Sequence, residues 1–418
     1  MPLLSNLAES MIGSEIVKLG NEISTRIRDG EKIYNFTIGD FAPAIFPIPE
    51  LLEDLIVQAY RDGFTHYPPA EGVMDLRQAV AEFIFDYQSV LYKPSEIQIS
   101  SGGRPLIYSL FRTVVNPGDK VIYPIPSWNN NHYTFLNCGT PCEVMALPEN
   151  NFMPTAEDIA VHIEDAALLC LCTPQNPTGT ALSTSELKKI CQLVVDENKR
   201  RDPNAKKLYV LFDQMYWALT YGDTQHAHPA SLIAEMKDYT ICIDGVSKAF
   251  AGTGVRVGWA LGPEKVIAKM KAFLSHIGAW APMAEQRAVA QFLKDKEAVS
   301  EYLSHFKKEL ENRLWAVYKG FNQLQEKGHP IAAIEPQAAI YLTIKIDLKG
   351  KRFGDKVLSK QSDVTQYLIS EAGLAIVPFI CFGADSESPW YRISVGTCRM
   401  DDLKDMFEKL TIALSHLQ

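Results

Sequence analysis

The sequence predicts an α/β fold: a large unit with a mostly parallel central sheet covered by helices, then a smaller α+β unit. Three observations predict it. From about residue 50 to 290, short apolar runs alternate with helical patterns, as strand–helix–strand units around a parallel sheet do. The run Ala166 to Cys172 is continuously apolar, which suits a strand buried on both faces. After about residue 290 a long charged amphipathic pattern gives way to mixed strands and helices. At roughly 150 residues per unit, 418 residues make two or three units. The expected division is an arm over 1–48 that joins the small unit, a large unit over 49–293 and a small one over 294–418.

The elements follow in order. Ile12 to Ile27 is amphipathic, and Ile38 to Pro49 is rich in Gly and Pro, so this arm is laid over other structure. Leu51 to Tyr60 and Met74 to Tyr87 have helical spacing. Ile97 to Ser100 is a short strand; Pro105 to Val115 is a helix with proline in its first turn. Lys120 to Tyr123 and Ala166 to Cys172 are strands. Ser183 to Asn198 is a helix opened by a capping box, Ser183 with Glu186. Lys207 to Phe212, Thr240 to Ile243 and Val255 to Leu261 are further strands. Lys294 to Gln325 is one long helix, and Ala339 to Ile346 a strand. Ser362 to Ala372 is helical, Leu374 to Val377 and Trp390 to Ser394 are strands, and a last helix starts at Asp401.

Composition narrows the function. Apolar residues make 47% and charged residues 22% of the chain, ordinary for a globular protein. There are 41 Lys and Arg against 50 Asp and Glu, a net charge of −9, so a whole-chain basic footprint for nucleic acid is absent. No apolar run reaches the roughly 18 residues of a membrane span, and the N-terminus does not read as a secretory signal. Eight scattered cysteines form no CxxC pair. The expectation is a cytoplasmic protein with reduced thiols. The nine histidines form no HExxH or Cys/His cluster, so no metal site is expected.

In open α/β sheets, ligands sit beyond the carboxyl ends of the strands. There the sequence places Ser100-Ser-Gly102-Gly103-Arg104, Thr173 to Gly179, Asp213-Gln-Met-Tyr216 and Asp244-Gly-Val-Ser247-Lys248. The two glycines precede a helix, whose free N–H groups and dipole favour an anion. Gly252 to Gly258 is no dinucleotide fingerprint, because Val257 stands at the third glycine and a strand follows. Lys248 at the mouth of a buried sheet is a candidate nucleophile. Asp213 and Arg256 follow or occupy apolar stretches and need partners of opposite charge. A buried lysine, a carboxylate, an arginine and an anion turn together match the needs of pyridoxal 5'-phosphate.

These residues, with Asn176-Pro-Thr-Gly179, Gly254-Val-Arg256-Val-Gly258, Tyr67 with Gly72 and Leu76-Arg77, and Arg392-Ile-Ser394, resemble the class I/II aminotransferases of fold type I. The chain is similar to aspartate aminotransferases over nearly its full length. The resemblance implies transfer of an amino group between an L-amino acid and a 2-oxo acid by a ping-pong mechanism. It implies Lys248 as the Schiff-base lysine and proton carrier, with Asp213 on the pyridinium nitrogen and Asn176 and Tyr216 on the ring oxygen. It implies Trp128 stacked on the ring, and Gly102, Gly103, Arg104, Ser247 and Arg256 around the phosphate. Arg392 and Gly39 would hold the substrate carboxylate. Tyr67 would reach the phosphate of the neighbouring subunit of a homodimer. Plainer readings exist for Trp128, as core packing, and for Tyr67, as an interface tyrosine.

Three positions depart from the family pattern. Gly245 stands where a serine is common, Pro336 to Tyr341 differs from the usual Pro-x-Gly-Ala-Phe-Tyr, and Phe379 replaces a glycine. The last two bear on the side-chain pocket, which Trp128, Asn129, Asn130, Tyr133 and Phe379 could line. Arg104 is expected to favour an acidic substrate such as aspartate or glutamate. A lyase or synthase using the same cofactor is the alternative function.

Overall fold

The computed structural model describes residues 3–11, 13 and 15–418; Ile12, at the start of the amphipathic segment, lies outside them. Its main feature is a seven-stranded sheet of β1 (Ile97–Ser100), β2 (Lys120–Ile125), β3 (Thr140–Met145), β4 (Ala166–Cys172), β5 (Tyr209–Asp213), β6 (Thr240–Gly245) and β7 (Gly258–Leu261). The strand order is β1-β7-β6-β5-β4-β2-β3. Every pairing is parallel except the two made by β7.

Strand side chains alternate between faces, and here both faces are apolar. Leu169, Leu171, Val210, Phe212 and Trp259 pack into one core. Leu168, Cys170, Leu211, Ile241, Ile243 and Ala260 pack into another. Helices cover both, which explains the unbroken apolar run of β4.

A second, four-stranded sheet contains β8 (Ile331–Ala333), β9 (Tyr341–Ile346), β10 (Val377–Pro378) and β11 (Trp390–Ser394), in the order β10-β11-β9-β8. All its pairings are antiparallel. Its core also takes Tyr34, Phe36, Phe41 and Phe46 from the arm, and Tyr34–Asn35 pairs in parallel with Leu374–Ala375. The helix Lys296–Glu326 places Val299 and Leu303 in the large-sheet core. From Phe306 to Leu324 it serves the second core.

Several elements differ from the sequence expectation. The helix expected from Pro105 begins at Gly103. The strand expected from Val255 begins only at Gly258, because Arg256 takes a left-handed backbone, φ +59°. Leu374 to Val377 divides between two sheets. The Ser183 hydroxyl caps its helix as expected, but Glu186 accepts from the Ala156 N–H instead of closing the box. β3 was not expected, because this edge strand is largely exposed and has no apolar run.

Candidate active site

The carboxyl ends of β4, β5 and β6 open on a cavity of about 350 Å³ between the two sheets. The turn after β6 carries Ser247 and Lys248 into it. Asp213 ends β5 and Tyr216 follows three residues later; Asn176 comes from the loop after β4. From the second sheet come Arg392 on β11 and Tyr341 on β9, and the arm contributes Gly39 and Asp40. Trp128, Asn130, Gly103, Arg104 and Arg256 complete much of the wall.

Each charged group is under a definite pressure. Burial lowers the Lys248 amine to about 8; Asp40 opposes this, and Arg392, Arg104 and Arg256 add to it. The Lys248 Nζ donates to the Gly39 carbonyl at 2.7 Å. Burial raises Asp213 to about 6, with the Met215 N–H as a partial counterweight. Among the described residues no lysine or arginine forms an ion pair with Asp213. Burial also raises the Tyr216 hydroxyl, which shares a 2.7 Å hydrogen bond with Tyr341.

Arg392 is 2% exposed. Its Nη1 donates to Asn176 Oδ1 at 2.9 Å and its Nη2 to the Thr37 carbonyl at 2.8 Å. Its buried Nε has no partner among the described residues. The guanidinium lies over the Tyr341 ring, 4.6 Å from the centroid.

At the opposite end, Arg256 Nη1 donates to the Thr253 carbonyl at 2.6 Å and Nη2 to the Ser101 carbonyl at 2.7 Å. Gly102, φ +88°, has no room for a side chain, because a Cβ would strike the Arg256 guanidinium. A Cβ on Gly258 would come within 2.9 Å of the Gly102 backbone. The helix Gly103–Val114 therefore presents bare N–H groups beside a guanidinium.

The chain matches the family described as aminotransferase class I and II over residues 31–410. It belongs to that family. A probable aspartate/prephenate aminotransferase from Rickettsia felis is 30% identical over 368 residues, 86% of this chain and 84% of that protein. The crystal structure of aspartate aminotransferase from Rhizobium meliloti superposes with a TM-score of 0.90 at 25% identity, covering all of both chains. Aspartate aminotransferase from Thermus thermophilus with maleate gives 0.87 at 25% identity, covering 99% of this chain and all of that one.

This class I/II aminotransferase thus has the α/β, fold-type I architecture expected from its sequence, and it is a transferase dependent on pyridoxal 5'-phosphate. Its substrates are amino acids and 2-oxo acids. The lyase or synthase alternative is not favoured by these relatives. The cavity fits the cofactor. It offers a buried amine, a buried carboxylate without a cation, and a glycine cradle beside Arg256 that any Cβ would fill. No helix among the described residues is long and apolar enough to cross a membrane.

Most expected site residues meet here, with exceptions. Gly102 lies behind the wall, against Arg256. Tyr67 is 81% exposed, outside the cavity, with its ring against Trp280. Phe379 does not line the pocket; it is buried against Phe152 and Phe382. Tyr133 is buried against Phe111, whereas Trp128 and Asn130 do face the cavity. Gly245 lacks room for the serine common at that position, since a Cβ would sit 2.7 Å from the Val257 carbonyl. Sequence reasoning missed Asp40, Thr253, Ile16 and Cys172. Only Asp40 had a signal, its place beside Gly39.

Proposed function

We propose that this cavity transfers the amino group of an acidic L-amino acid, and that its residues act as follows. Lys248, buried and lowered to about 8, would hold the cofactor through Nζ, and the same amine would take and return the substrate proton. When bound, the cofactor accepts the electron pair left on the substrate carbon. Asp213 would face the ring nitrogen, where its buried carboxylate would favour a positive charge. Asn176 and Tyr216 would donate to the ring oxygen. Ser247, Arg256 and the Gly102–Gly103 turn would hold the phosphate. Trp128 would cover the ring face. Arg392, with Gly39, would hold the substrate α-carboxylate, the guanidinium as a fork. The observation that carries this reading is the buried Lys248 amine set between Arg392 and Arg256 in one cavity.

Arg104 supports the acidic substrate. It lines the cavity with its guanidinium 4.8 Å from the Trp128 ring centroid, and a cation there would favour a second carboxylate. The names of the Rickettsia felis and Thermus thermophilus relatives, with aspartate and maleate, agree with this. The test is Arg104→Ala assayed with aspartate and with phenylalanine. We expect aspartate kcat/KM to fall about tenfold or more, with phenylalanine little changed. An equal loss with both would assign Arg104 to the phosphate and overturn the acidic reading.

The same proposal includes a division into the arm over 1–48, a large cofactor-binding unit over 49–293 and a small unit over 294–418. It also includes a cytoplasmic homodimer. All eight cysteines are free, and Tyr67 is exposed, as a contact to a neighbouring subunit would require. Sedimentation should give twice 46.7 kDa; an active monomer would remove the shared site.

A further inference from the structure

Three residues of the arm segment Thr37–Asp40 reach the cationic centres of the cavity other than Arg104, and Arg256 only through Thr253. The Thr37 carbonyl accepts from Arg392 at 2.8 Å and the Gly39 carbonyl from Lys248 at 2.7 Å. The Asp40 carboxylate accepts from the Thr253 hydroxyl at 2.7 Å. Thr253 in turn holds Arg256 through its carbonyl, at 2.6 Å. The same Asp40 oxygen accepts from the Phe41 N–H at 2.8 Å, so the carboxylate is fixed from both sides. Behind it the space is full: a Cβ on Gly396 would strike the Asp40 carbonyl.

We propose that Asp40 is a positioning residue that latches the carboxylate-holding loop to the phosphate-holding turn, so that the two anion sites are set together. The inference rests on the reading of Arg392 and Arg256 as those anion holders. Thr253 is the other half of the latch. Binding an anion at Arg256 then orders the backbone on which Arg392 rests, and the reverse. The Asp40 charge has a second consequence. Facing Lys248 are Asp40 on the arm, Arg104 on the helix Gly103–Val114, and Arg256 on the turn before β7. Cys172, Asp213 and Tyr216 face the cavity from the large sheet, and Tyr341 and Arg392 from the small one. Asp40 is the nearby carboxylate that favours a proton on Lys248 against three arginines.

The experiment uses the holoenzyme and maleate as an unreactive dicarboxylate, titrated through the visible spectrum of the bound cofactor. Asp40→Ala and Thr253→Val should each weaken maleate about tenfold, and the double variant should be no weaker than either single, because both remove one contact. Asp40→Asn keeps an acceptor for Thr253, so its maleate affinity should stay within about threefold. It loses the charge, however, so the pH midpoint of the cofactor spectrum should move down by about half a unit or more. Thr253→Val keeps the charge and should leave that midpoint in place. A merely structural role would not separate these two variants. Wild-type maleate affinity in Asp40→Ala, or additive losses in the double variant, would overturn the latch. If Asp40→Ala does not fold, Thr253→Val and Asp40→Asn still decide. Arg392→Ala serves as the reference, with an expected loss of about a hundredfold. That loss beside a normal Asp40→Ala overturns the latch alone. Normal binding by Arg392→Ala overturns the carboxylate reading beneath it.

Discussion

Lys248 sits where the loss of water and three arginines push its amine toward neutrality while Asp40 holds it back. An amine near 8 can be a nucleophile and a proton carrier at neutral pH, which an exposed lysine cannot match. Lys248→Ala should therefore lose the visible absorbance of lysine-bound cofactor, and turnover should fall about 10³-fold or more. Lys248→Arg keeps the charge without the nucleophile and should be as inactive; normal turnover in either variant would displace Lys248 from its role. At this scale the sequence was informative because charged residues ending apolar runs need partners. Asp213, Lys248 and Arg256 were legible on that ground. Thr253 and Ile16 were not, since neither type stands out in a loop or an amphipathic helix. Their place depends on how the arm and the turn before β7 meet.

The Arg256 end of the cavity, proposed above to hold the phosphate, is built by elements rather than by single side chains. β7 runs against its neighbours and lies so close to the turn Ser101–Gly103 that Gly258 meets the Gly102 backbone without a Cβ between them. Gly258→Ala should drive β7 and the turn apart, costing about 1–3 kcal/mol of stability. It should also weaken cofactor binding about tenfold, as the N–H groups of Gly103 and its neighbours leave their line. Cofactor titration of the apoenzyme checks this, and unchanged affinity would mean that the turn is not the anion cradle. The helix start at Gly103 was read two residues late because Pro105 is a strong first-turn signal, while a glycine at the N-terminus is a weak one. The false start of β7 has a similar origin. Val255 to Val257 is apolar enough for a strand, but Arg256 holds φ +59°, a strain of about 1–3 kcal/mol that sequence pattern does not reveal. The long strand β4 was legible for the opposite reason, since burial on both faces leaves no polar residue to interrupt it.

At the scale of the whole molecule, two sheets with separate cores share the helix Lys296–Glu326, and the arm packs into the second core. A change in texture near residue 290 was legible in the sequence. That the core changes within the helix, between Leu303 and Phe306, was not, because a helix stripe reads alike against either core. The large-sheet core also encloses ionisable groups that the catalytic reading does not use. Burial raises Asp244, which accepts from the Trp217 indole N–H at 2.7 Å, to about 7. Burial lowers His228, 1% exposed, to about 3. These two act on stability with opposite sign. Between about pH 4 and 7 the folded chain keeps the Asp244 proton that the unfolded chain releases, so Asp244 makes stability fall as pH rises. Between about pH 3 and 6.5 the unfolded chain binds a proton that buried His228 refuses, so His228 makes stability fall as pH drops. Each contributes up to about 1.4 kcal/mol per pH unit in its window. The two slopes offset each other over the shared range, and wild-type stability should be flatter there than either group alone would allow. The His228 share can be isolated. Its Nδ1 caps the Ala230 N–H at 3.0 Å, a role that asparagine can fill. His228→Asn removes the titration and keeps the cap. Relative to wild type, the variant should gain about 3 kcal/mol between pH 7.5 and pH 4.5, read as the difference between the two proteins in denaturant unfolding at each pH. Taking the difference cancels Asp244 and the other groups common to both. Parallel pH dependences would show that His228 takes up its proton in the folded chain, and that the core around it admits charge.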